Sequence, residues 1–384
     1  MRVVYWQDII SPHQSAAIRA LAERVEEVVL VACKELNAER RDIGWSIPDL
    51  GAARVLVAPD ARTVEDLVCE MPGERVHLLG AARWHPLGRQ AIAHCRRTSA
   101  RWGLIAEAAD SRGWRGLARR VKYTLDYWTV GRHLDFMLAV GQQGVRWFRQ
   151  CGYPARIVFP YAYVVDQLPD ETPARPADGG PFECMFLGRC APGKGVETLL
   201  RALAGCRAQS WRLTVIGDGP LRTAWSSQSR ALGLADRVQF LGALPNAAAR
   251  RRLAAMDLLV LPSDGKEGWG AVVNEALMCG VPVLCSDRCG AVDVLGAPWR
   301  GEVVRAGSAT ALTQALARWI ARGKTTPRAS QRIRQWAQCL TGAAAADYLL
   351  AILAHVYDGA ARPTAPWLRD ADIKEDSPCA ALPA

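Results

Sequence analysis

Residues 259–287 read LVLPSDGKEGWGAVVNEALMCGVPVLCSD, and this stretch predicts the fold of the region around it. An apolar run of strand length over Leu258–Leu261 is ended by Pro262. A glycine-rich loop follows, then a helical pattern over Ala271–Met278 and a second apolar run over Val281–Cys285. Strand, loop, helix and strand in this order indicate a βαβ unit of a parallel sheet.

The loop of this unit carries two carboxylates at the carboxyl end of its first strand, where open α/β sheets bind ligands. Glu267 precedes the helix and Glu275 lies inside it. The glycines between them allow the backbone to approach an anion, and the helix start presents N–H groups to it. Carboxylates accept hydrogen bonds from hydroxyl groups, so the pattern favours a ligand with both a sugar and an anionic part.

Two cations precede another predicted helix. Arg189 follows the apolar run Glu183–Gly188, and Lys194 stands just before the helical pattern Val196–Ala204. An Arg and a Lys on one short loop are suited to hold a diphosphate, because one offers a planar fork of donors and the other a point charge. Taken in isolation, such a pair is more often two solvated surface cations.

A third strand runs into the glycine turn Gly217-Asp218-Gly219-Pro220. This is not a dinucleotide fingerprint, since the third glycine is missing and proline supplies no N–H at the helix entry.

Three motifs, GR-x4-KG, IGDGP followed by VQFLG, and EGWG followed by NEAL-x-x-G-x-PV, resemble the retaining glycosyltransferases of family 4, the glycosyl transferases group 1. The resemblance covers most of residues 181–300. It implies an α/β chain with GT-B architecture, in which two Rossmann-like doubly wound domains face a central cleft. It also implies a hexosyltransferase that retains configuration and works without a metal or a cofactor.

The resemblance carries roles over to individual residues. Arg189 and Lys194 would hold the pyrophosphate of the donor, Glu267 the hydroxyls of the transferred sugar, and Glu275 the ribose. The remaining donor contacts that it implies are Gly268, Trp269, Gly270, Ala271 and Asn274 at the helix start, and Gly217, Gly219, Leu241 and Gly242 near the base. Packing is an equally good interpretation for Trp269 and for the two glycines of the IGDGP turn.

The alternation of apolar runs and helical patterns predicts two domains. The first covers residues 1–168 and the second 182–335, joined by the proline-rich linker 169–181. An apolar helix over about 343–358 is expected to cross back onto the first domain. The polar, proline-rich segment 363–384 is expected to be a disordered tail.

The first domain offers weaker signals. Asp8, His13 and Glu107 follow apolar runs, so we expect them at the carboxyl edge of the first sheet, on the acceptor side of the cleft. For His13 and Glu107 a structural role is an open alternative.

A basic and aromatic segment, residues 112–132, is typical of contact with an anionic membrane. The cations assigned to this contact are Arg115, Arg119, Arg120 and Lys122. The alternative is a helix whose apolar side packs on the domain while its cations stay in water.

Composition sets further limits on the chain of 384 residues. The net charge of +10 and the pI of about 9.2 suit an anionic partner. The positive charge is not gathered on a recognisable nucleic-acid module, so nucleic acid is not expected. Twelve cysteines without paired spacing favour a reduced, cytoplasmic compartment and argue against a zinc site. No signal peptide is expected, and no apolar run approaches the length of a spanning helix, so membrane contact would be peripheral, on the inner face.

The sequence thus predicts transfer of a sugar from a UDP- or GDP-linked donor to a glycan or lipid-linked acceptor, in surface polysaccharide or lipopolysaccharide biosynthesis. Two alternatives remain open: an enzyme like the nucleotide-sugar 2-epimerases, and a non-catalytic nucleotide-sugar-binding protein. The presence of all four charged residues, Arg189, Lys194, Glu267 and Glu275, argues against the second.

Overall fold

The computed structural model describes residues 1–36, 46–80, 85–165, 179–265 and 267–369. Most of the predicted linker and the last part of the predicted tail therefore lie outside the described residues.

The first domain is built on a sheet of seven parallel strands in the order β3-β2-β1-β4-β5-β6-β7. The strands are β1 Arg2–Ile9, β2 Glu27–Lys34, β3 Arg54–Val57, β4 Arg75–Gly80, β5 Arg101–Glu107, β6 Phe136–Val140 and β7 Val158–Tyr161. Its helices are α1 Pro12–Ala22, α2 Ala61–Cys69, α3 Pro86–Cys95, α4 Gly113–Thr129 and α5 Gly141–Gln150.

The second domain repeats this plan with six parallel strands in the order β10-β9-β8-β11-β12-β13. The strands are β8 Phe182–Leu187, β9 Trp211–Ile216, β10 Val238–Gly242, β11 Leu258–Leu261, β12 Val283–Ser286 and β13 Gly301–Val304. The helices are α6 Val196–Ala204, α7 Arg222–Ala231, α8 Asn246–Ala254, α9 Ala271–Met278, α10 Ala309–Arg322 and α11 Pro327–Ala337. The prediction of two doubly wound α/β domains is confirmed.

The local sequence explains why these elements form. Strands such as Leu258–Leu261 and Phe136–Val140 are apolar throughout and fully buried, as expected for parallel sheets covered on both faces. Ser11 caps α1, with Pro12 in the first turn, and Thr341 caps the last helix.

The strand order places the switch point of each sheet. In both sheets the chain leaves the first strand toward one side and returns on the other, so the switch lies between β1 and β4 and between β8 and β11. Ligands of open α/β sheets bind at this point, outside the carboxyl ends of the strands.

A last helix, α12 Gly342–Asp358, packs against α1 of the first domain. Asp347 pairs with Arg24 at 2.7 Å, and the Tyr357 hydroxyl donates to Asp135 at 2.9 Å. The stretch 327–358 is long and apolar enough by length and composition to cross a membrane. Within it, Leu349, Ile352 and Leu353 are buried in the protein core, and 39 % of the apolar window is buried.

The prediction of a disordered tail from residue 363 is wrong over residues 363–369. Trp367 is buried, with its ring against those of Trp269 and Tyr348. Just before it, the Arg362 guanidinium donates to the carbonyls of Arg156 and Val158. Burial of one large aromatic side chain outweighs the polar composition of this segment.

Candidate active site

The loops that follow β8 and β11 are joined at the switch point of the second sheet. The amides of Asp264 and Gly265 donate to the Gly193 carbonyl at 3.1 and 3.0 Å. Gly195 has φ of +71°, and a Cβ there would lie 2.0 Å from the Pro262 carbonyl oxygen. The two loops can approach this closely because residue 195 has no side chain.

This contact brings two predicted site residues together. Lys194 Nζ lies 2.6 Å from Glu267 Oε2, which also accepts a hydrogen bond from the Ser263 hydroxyl at 3.2 Å. Both side chains are partly exposed, with 26 % of Lys194 and 19 % of Glu267 accessible. Arg189 is exposed on the same loop as Lys194. The edge of the sheet therefore presents cations and one carboxylate to solvent.

Glu275 lies in a different environment, in the second turn of α9. Its side chain is buried, and its carboxylate accepts from the Asn246 amide at 3.3 Å. Burial raises the pKa of Glu275, while the nearby Arg250 and the bond from Asn246 oppose that rise. The two glutamates thus have different partners, and their separate roles toward the donor stay predictions.

Trp269 and Asn274 are both buried and bonded to each other, with Trp269 Nε1 donating to Asn274 Oδ1 at 3.0 Å. Asn274 Nδ2 donates to the Tyr163 carbonyl of the first domain at 2.7 Å. Both ends of the Asn274 amide thus serve packing between the domains, and its contact with the donor stays a prediction. The Trp269 side chain packs as well.

The first domain contributes a carboxylate at the same place. A Cβ on Gly268 would lie 2.0 Å from Glu107 Oε2, so Glu107 reaches the central loop only because residue 268 is a glycine. Tyr163 is hydrogen-bonded to Glu107, and burial, followed by this carboxylate, raises the pKa of Tyr163. The His13 ring stacks near Tyr163 with centroids 6.3 Å apart. His13 and Glu107 are thus brought to the cleft, whereas Asp8 is not brought to this group.

Asp8 is the next-to-last residue of β1 and therefore lies at the carboxyl edge of the first sheet, as expected. Its carboxylate pairs with Lys34 at the end of β2, 3.5 Å away, and both side chains are about half exposed.

The IGDGP turn supports the loop of Arg189. The Cys190 amide donates to the Asp218 carbonyl at 2.8 Å, and the Gly217 amide donates to the Gly242 carbonyl at 2.8 Å. Gly217 and Gly219 therefore have a structural role here. Leu241 is half-buried at the end of β10, and its contact with a base stays a prediction.

A further contact between the domains was missed by the sequence. The Gln142 amide, at the start of α5, donates to the Asp293 carboxylate, and Gln143 Nε2 donates to the carbonyls of Asp287 and Cys289. Burial raises the pKa of Asp293 to about 6, against the bond from Gln142 and the charge of Arg146.

The cations predicted to meet a membrane lie on α4, where Arg115, Arg120 and Lys122 are exposed and Arg119 is half-buried. Arg119 donates to the Asp110 carbonyl at 3.0 Å, so it also holds the start of the helix.

Among the described residues, one group of possible metal ligands lies in the first domain, away from the candidate site. It consists of Glu65 and Cys69 on α2 and His94 on α3. The Arg97 guanidinium lies 3.1 Å from His94 Nδ1, and its positive charge opposes a bound cation.

Comparison with known proteins shows what the second domain is similar to. Residues 169–336 match the family described as glycosyl transferases group 1. The chain is 37 % identical over 134 residues to a 2-deoxystreptamine N-acetyl-D-glucosaminyltransferase of Streptomyces fradiae, covering 34 % of this chain and 32 % of that protein. It is 34 % identical over 135 residues to a phosphatidyl-myo-inositol mannosyltransferase of Mycobacterium leprae, covering 34 % and 35 %. The matches span about a third of the length of these relatives.

Solved structures extend the likeness to the whole fold. Anabaena HepE in complex with UDP covers 92 % of this chain and 100 % of its own, with a TM-score of 0.70 and 16 % identity. WaaG, a glycosyltransferase involved in lipopolysaccharide biosynthesis, covers 91 % and 99 % with a TM-score of 0.57 and 16 % identity. At this identity the likeness concerns the fold, and the predicted GT-B architecture is confirmed.

The sequence missed four residues of the candidate site, which are Ser263, Asn246, Arg250 and Tyr163. Ser263 and Tyr163 each follow a strand at the carboxyl edge of a sheet, and that position is the signal that points to them. Asn246 and Arg250 precede Glu275 by a full βα unit, so only the folded chain brings them to it.

Proposed function

We propose that this chain is a retaining family 4 glycosyltransferase that moves a hexose from a UDP- or GDP-linked sugar to a glycan or lipid-linked acceptor. The observation that carries the proposal is the pair of Lys194 and Glu267, 2.6 Å apart beside the exposed Arg189. It lies outside the carboxyl ends of β8 and β11, where a doubly wound sheet binds nucleotides.

The pair suggests how the donor enters. Without a ligand, Lys194 and Glu267 neutralise each other. A diphosphate offers Lys194 a stronger anionic partner, and the freed carboxylate of Glu267 then accepts hydrogen bonds from sugar hydroxyls. Negative charge grows on the β-phosphate as the bond to the sugar breaks. Arg189, Lys194 and the start of α9 would stabilise this charge more in the transition state than in the ground state.

The buried Glu275 complements this arrangement. A buried carboxylate needs donors, and the Asn246 amide supplies one in the protein alone. The hydroxyls of a ribose would supply more, which supports its assignment to the nucleotide. Glu107, held by Tyr163 against Gly268, is the carboxylate that the first domain presents to an acceptor hydroxyl.

The names of similar proteins support the substrate class. HepE has been crystallised with UDP and with UDP-glucose, the M. leprae relative is a phosphatidyl-myo-inositol mannosyltransferase, and WaaG is involved in lipopolysaccharide biosynthesis. We place the present chain in surface polysaccharide or lipopolysaccharide synthesis, in the cytoplasm at the inner face of the membrane. The cations of its loop, Arg189 and Lys194, would neutralise the diphosphate in place of a metal ion, so no metal is required.

The test is incubation of the purified chain with UDP-glucose, UDP-galactose, UDP-N-acetylglucosamine and GDP-mannose, with and without EDTA. We expect release of the nucleotide diphosphate from one donor at a rate that EDTA does not change. The early product should keep the anomeric configuration of the donor sugar by NMR. A donor that binds but is never cleaved would instead indicate a non-catalytic binding protein, and a donor epimerised at C2 would indicate the epimerase class.

A further inference from the structure

Helix α4 is attached to the first domain by one aromatic face. The Tyr123 ring lies 5.5 Å from that of Trp147, and the Tyr127 ring lies 5.0 Å from that of Tyr153. These contacts fix the rotation of the helix about its axis. They also settle which of its side chains face the protein.

The opposite face of α4 is apolar and uncovered. Five large side chains are between 55 % and 76 % exposed. They are Trp114, Leu117, Val121, Leu125 and Trp128. At 3.6 residues per turn, they project within an arc of about 80°, so they form one continuous stripe, which we call the α4 stripe. A surface helix of a globular protein normally turns such a stripe toward the core.

The alternative drawn from the sequence, in which the apolar side of this helix packs on the domain, is therefore wrong for these five residues. Within α4, Tyr123 and Tyr127 are the large side chains that pack against the core of the first domain. A contiguous exposed apolar stripe marks an interaction surface.

Charge decides what kind of surface covers the α4 stripe. Arg115 and Lys122 project along one side of it and Arg120 along the other, and all three are exposed. Asp126 is the acidic residue within α4. A second copy of the chain would place these cations against one another, at a cost. An anionic surface complements them.

We propose that α4 docks this protein on an anionic phospholipid surface, with the α4 stripe at the level of the headgroups and the flanking cations on lipid phosphates. Trp114 and Trp128, near the two ends of the helix, are of the residue type that favours this interface. The docking itself needs no transferase activity.

The docked helix also leads to the active site. Just before it, Arg112 Nη1 donates to the Asp264 carbonyl of the central loop at 3.3 Å. The amino end of α4 therefore lies beside the loop that carries Glu267. On the proposed function, an acceptor anchored in the same membrane would reach the cleft from this end.

The experiment is flotation of the full chain with vesicles, in the absence of any sugar donor. We expect binding to vesicles of phosphatidylglycerol and phosphatidylcholine, little binding to phosphatidylcholine alone, and release as salt rises. The double substitution Leu117→Gln with Leu125→Gln should weaken binding by about tenfold or more, because it removes apolar area and leaves the charge unchanged. Both side chains are exposed, so folding should not suffer.

A matched charge control separates local docking from net charge. Arg115→Glu with Lys122→Glu should abolish binding to acidic vesicles. Arg251→Glu with Arg252→Glu makes the same change in net charge on exposed residues of α8 and should bind as the wild type does. Equal loss in the two pairs, or normal binding by the Leu117 and Leu125 variant, would overturn the proposal. So would a vesicle-free dimer that this variant converts to a monomer, since a second copy would then cover the α4 stripe.

Discussion

The two domains share one strand order but differ in what they place at the switch point. In the first sheet, Gln7 of β1 and Gln14 of α1 meet beside Gly80 of β4, and Gln7 Nε2 donates to Gln14 Oε1 at 2.8 Å. In the second sheet, the loops after β8 and β11 place Lys194 against Glu267, with Arg189 beside them. The same topology therefore places a pair of amides at the switch point of the first sheet and an ion pair at that of the second, which we call the charged edge.

This difference shows that the fold and the loop side chains determine different properties of a binding site. The order of the strands determines where a ligand can lie, whereas the side chains on the loops determine which ligand it is. The charged edge suits a diphosphate. In the first domain the Glu107 carboxylate, held by Tyr163, suits an uncharged hydroxyl acceptor, because a carboxylate accepts hydrogen bonds from hydroxyl groups.

The largest effect is expected for Lys194→Ala, because a positive charge aimed at the leaving group acts mainly in the transition state. We expect kcat/KM for the donor to fall about hundredfold, within the range for loss of one such group. Lys324→Ala is the matched control, since this lysine lies near Glu183 at the amino end of β8. Steady-state kinetics would measure kcat/KM for both variants. An equal fall of kcat/KM in the two would show that Lys194 has no specific role in the reaction.

A smaller effect, about tenfold in each case, is expected for the two glutamates. Glu275→Gln should raise KM for the donor and weaken UDP or GDP binding, because Glu275 is assigned to the ribose. Glu267→Gln should lower kcat without weakening the bare nucleotide, since the substitution also releases Lys194 from its ion pair.

Kinetics beside calorimetric titration would distinguish the two glutamates. If Glu267→Gln weakens the nucleotide and Glu275→Gln does not, the two roles are reversed. If neither substitution matters, α9 serves only the core.

The smallest effect concerns the contact between the domains. The pKa of Asp293 is raised from 3.8 to about 6, so its contribution to stability is fully present below pH 4 and is lost as pH rises through 6. Asparagine can still accept from Gln142 and does not titrate. The free energy of unfolding of Asp293→Asn relative to the wild type should therefore rise by about 1–3 kcal/mol between pH 4 and 6 and then level off.

Urea unfolding at intervals of pH would measure this difference, with the exposed Asp236→Asn as the control. A difference between Asp293→Asn and the wild type that does not change with pH would show that Asp293 titrates normally.

The sequence predicted the second domain well because its information is local. The apolar runs and glycine turns of 258–287 determine a βαβ unit, and the loop motifs place Arg189, Lys194 and Glu267 at strand ends. The features that the sequence did not predict depend on contacts between residues that are far apart along the chain. The pairing of Lys194 with Glu267, the bond from Asn274 to Tyr163, and the burial of Trp367 all join segments that only the folded chain brings together.

The first domain also has a feature that the sequence alone could not determine. The composition of residues 112–132 indicated a basic aromatic helix but left its rotation undecided. Tyr123 and Tyr127 decide it by packing inward, and this leaves the α4 stripe in solvent.

The central claim is that the charged edge of the second domain binds the donor nucleotide. Calorimetric titration of UDP and GDP into the wild type, Lys194→Ala and Glu107→Gln tests it most directly. We predict that one nucleotide binds the wild type, that Lys194→Ala weakens this binding about tenfold or more, and that Glu107→Gln, in the first domain, leaves it unchanged. Unchanged affinity in Lys194→Ala, or a loss in Glu107→Gln as large as in Lys194→Ala, would contradict the account.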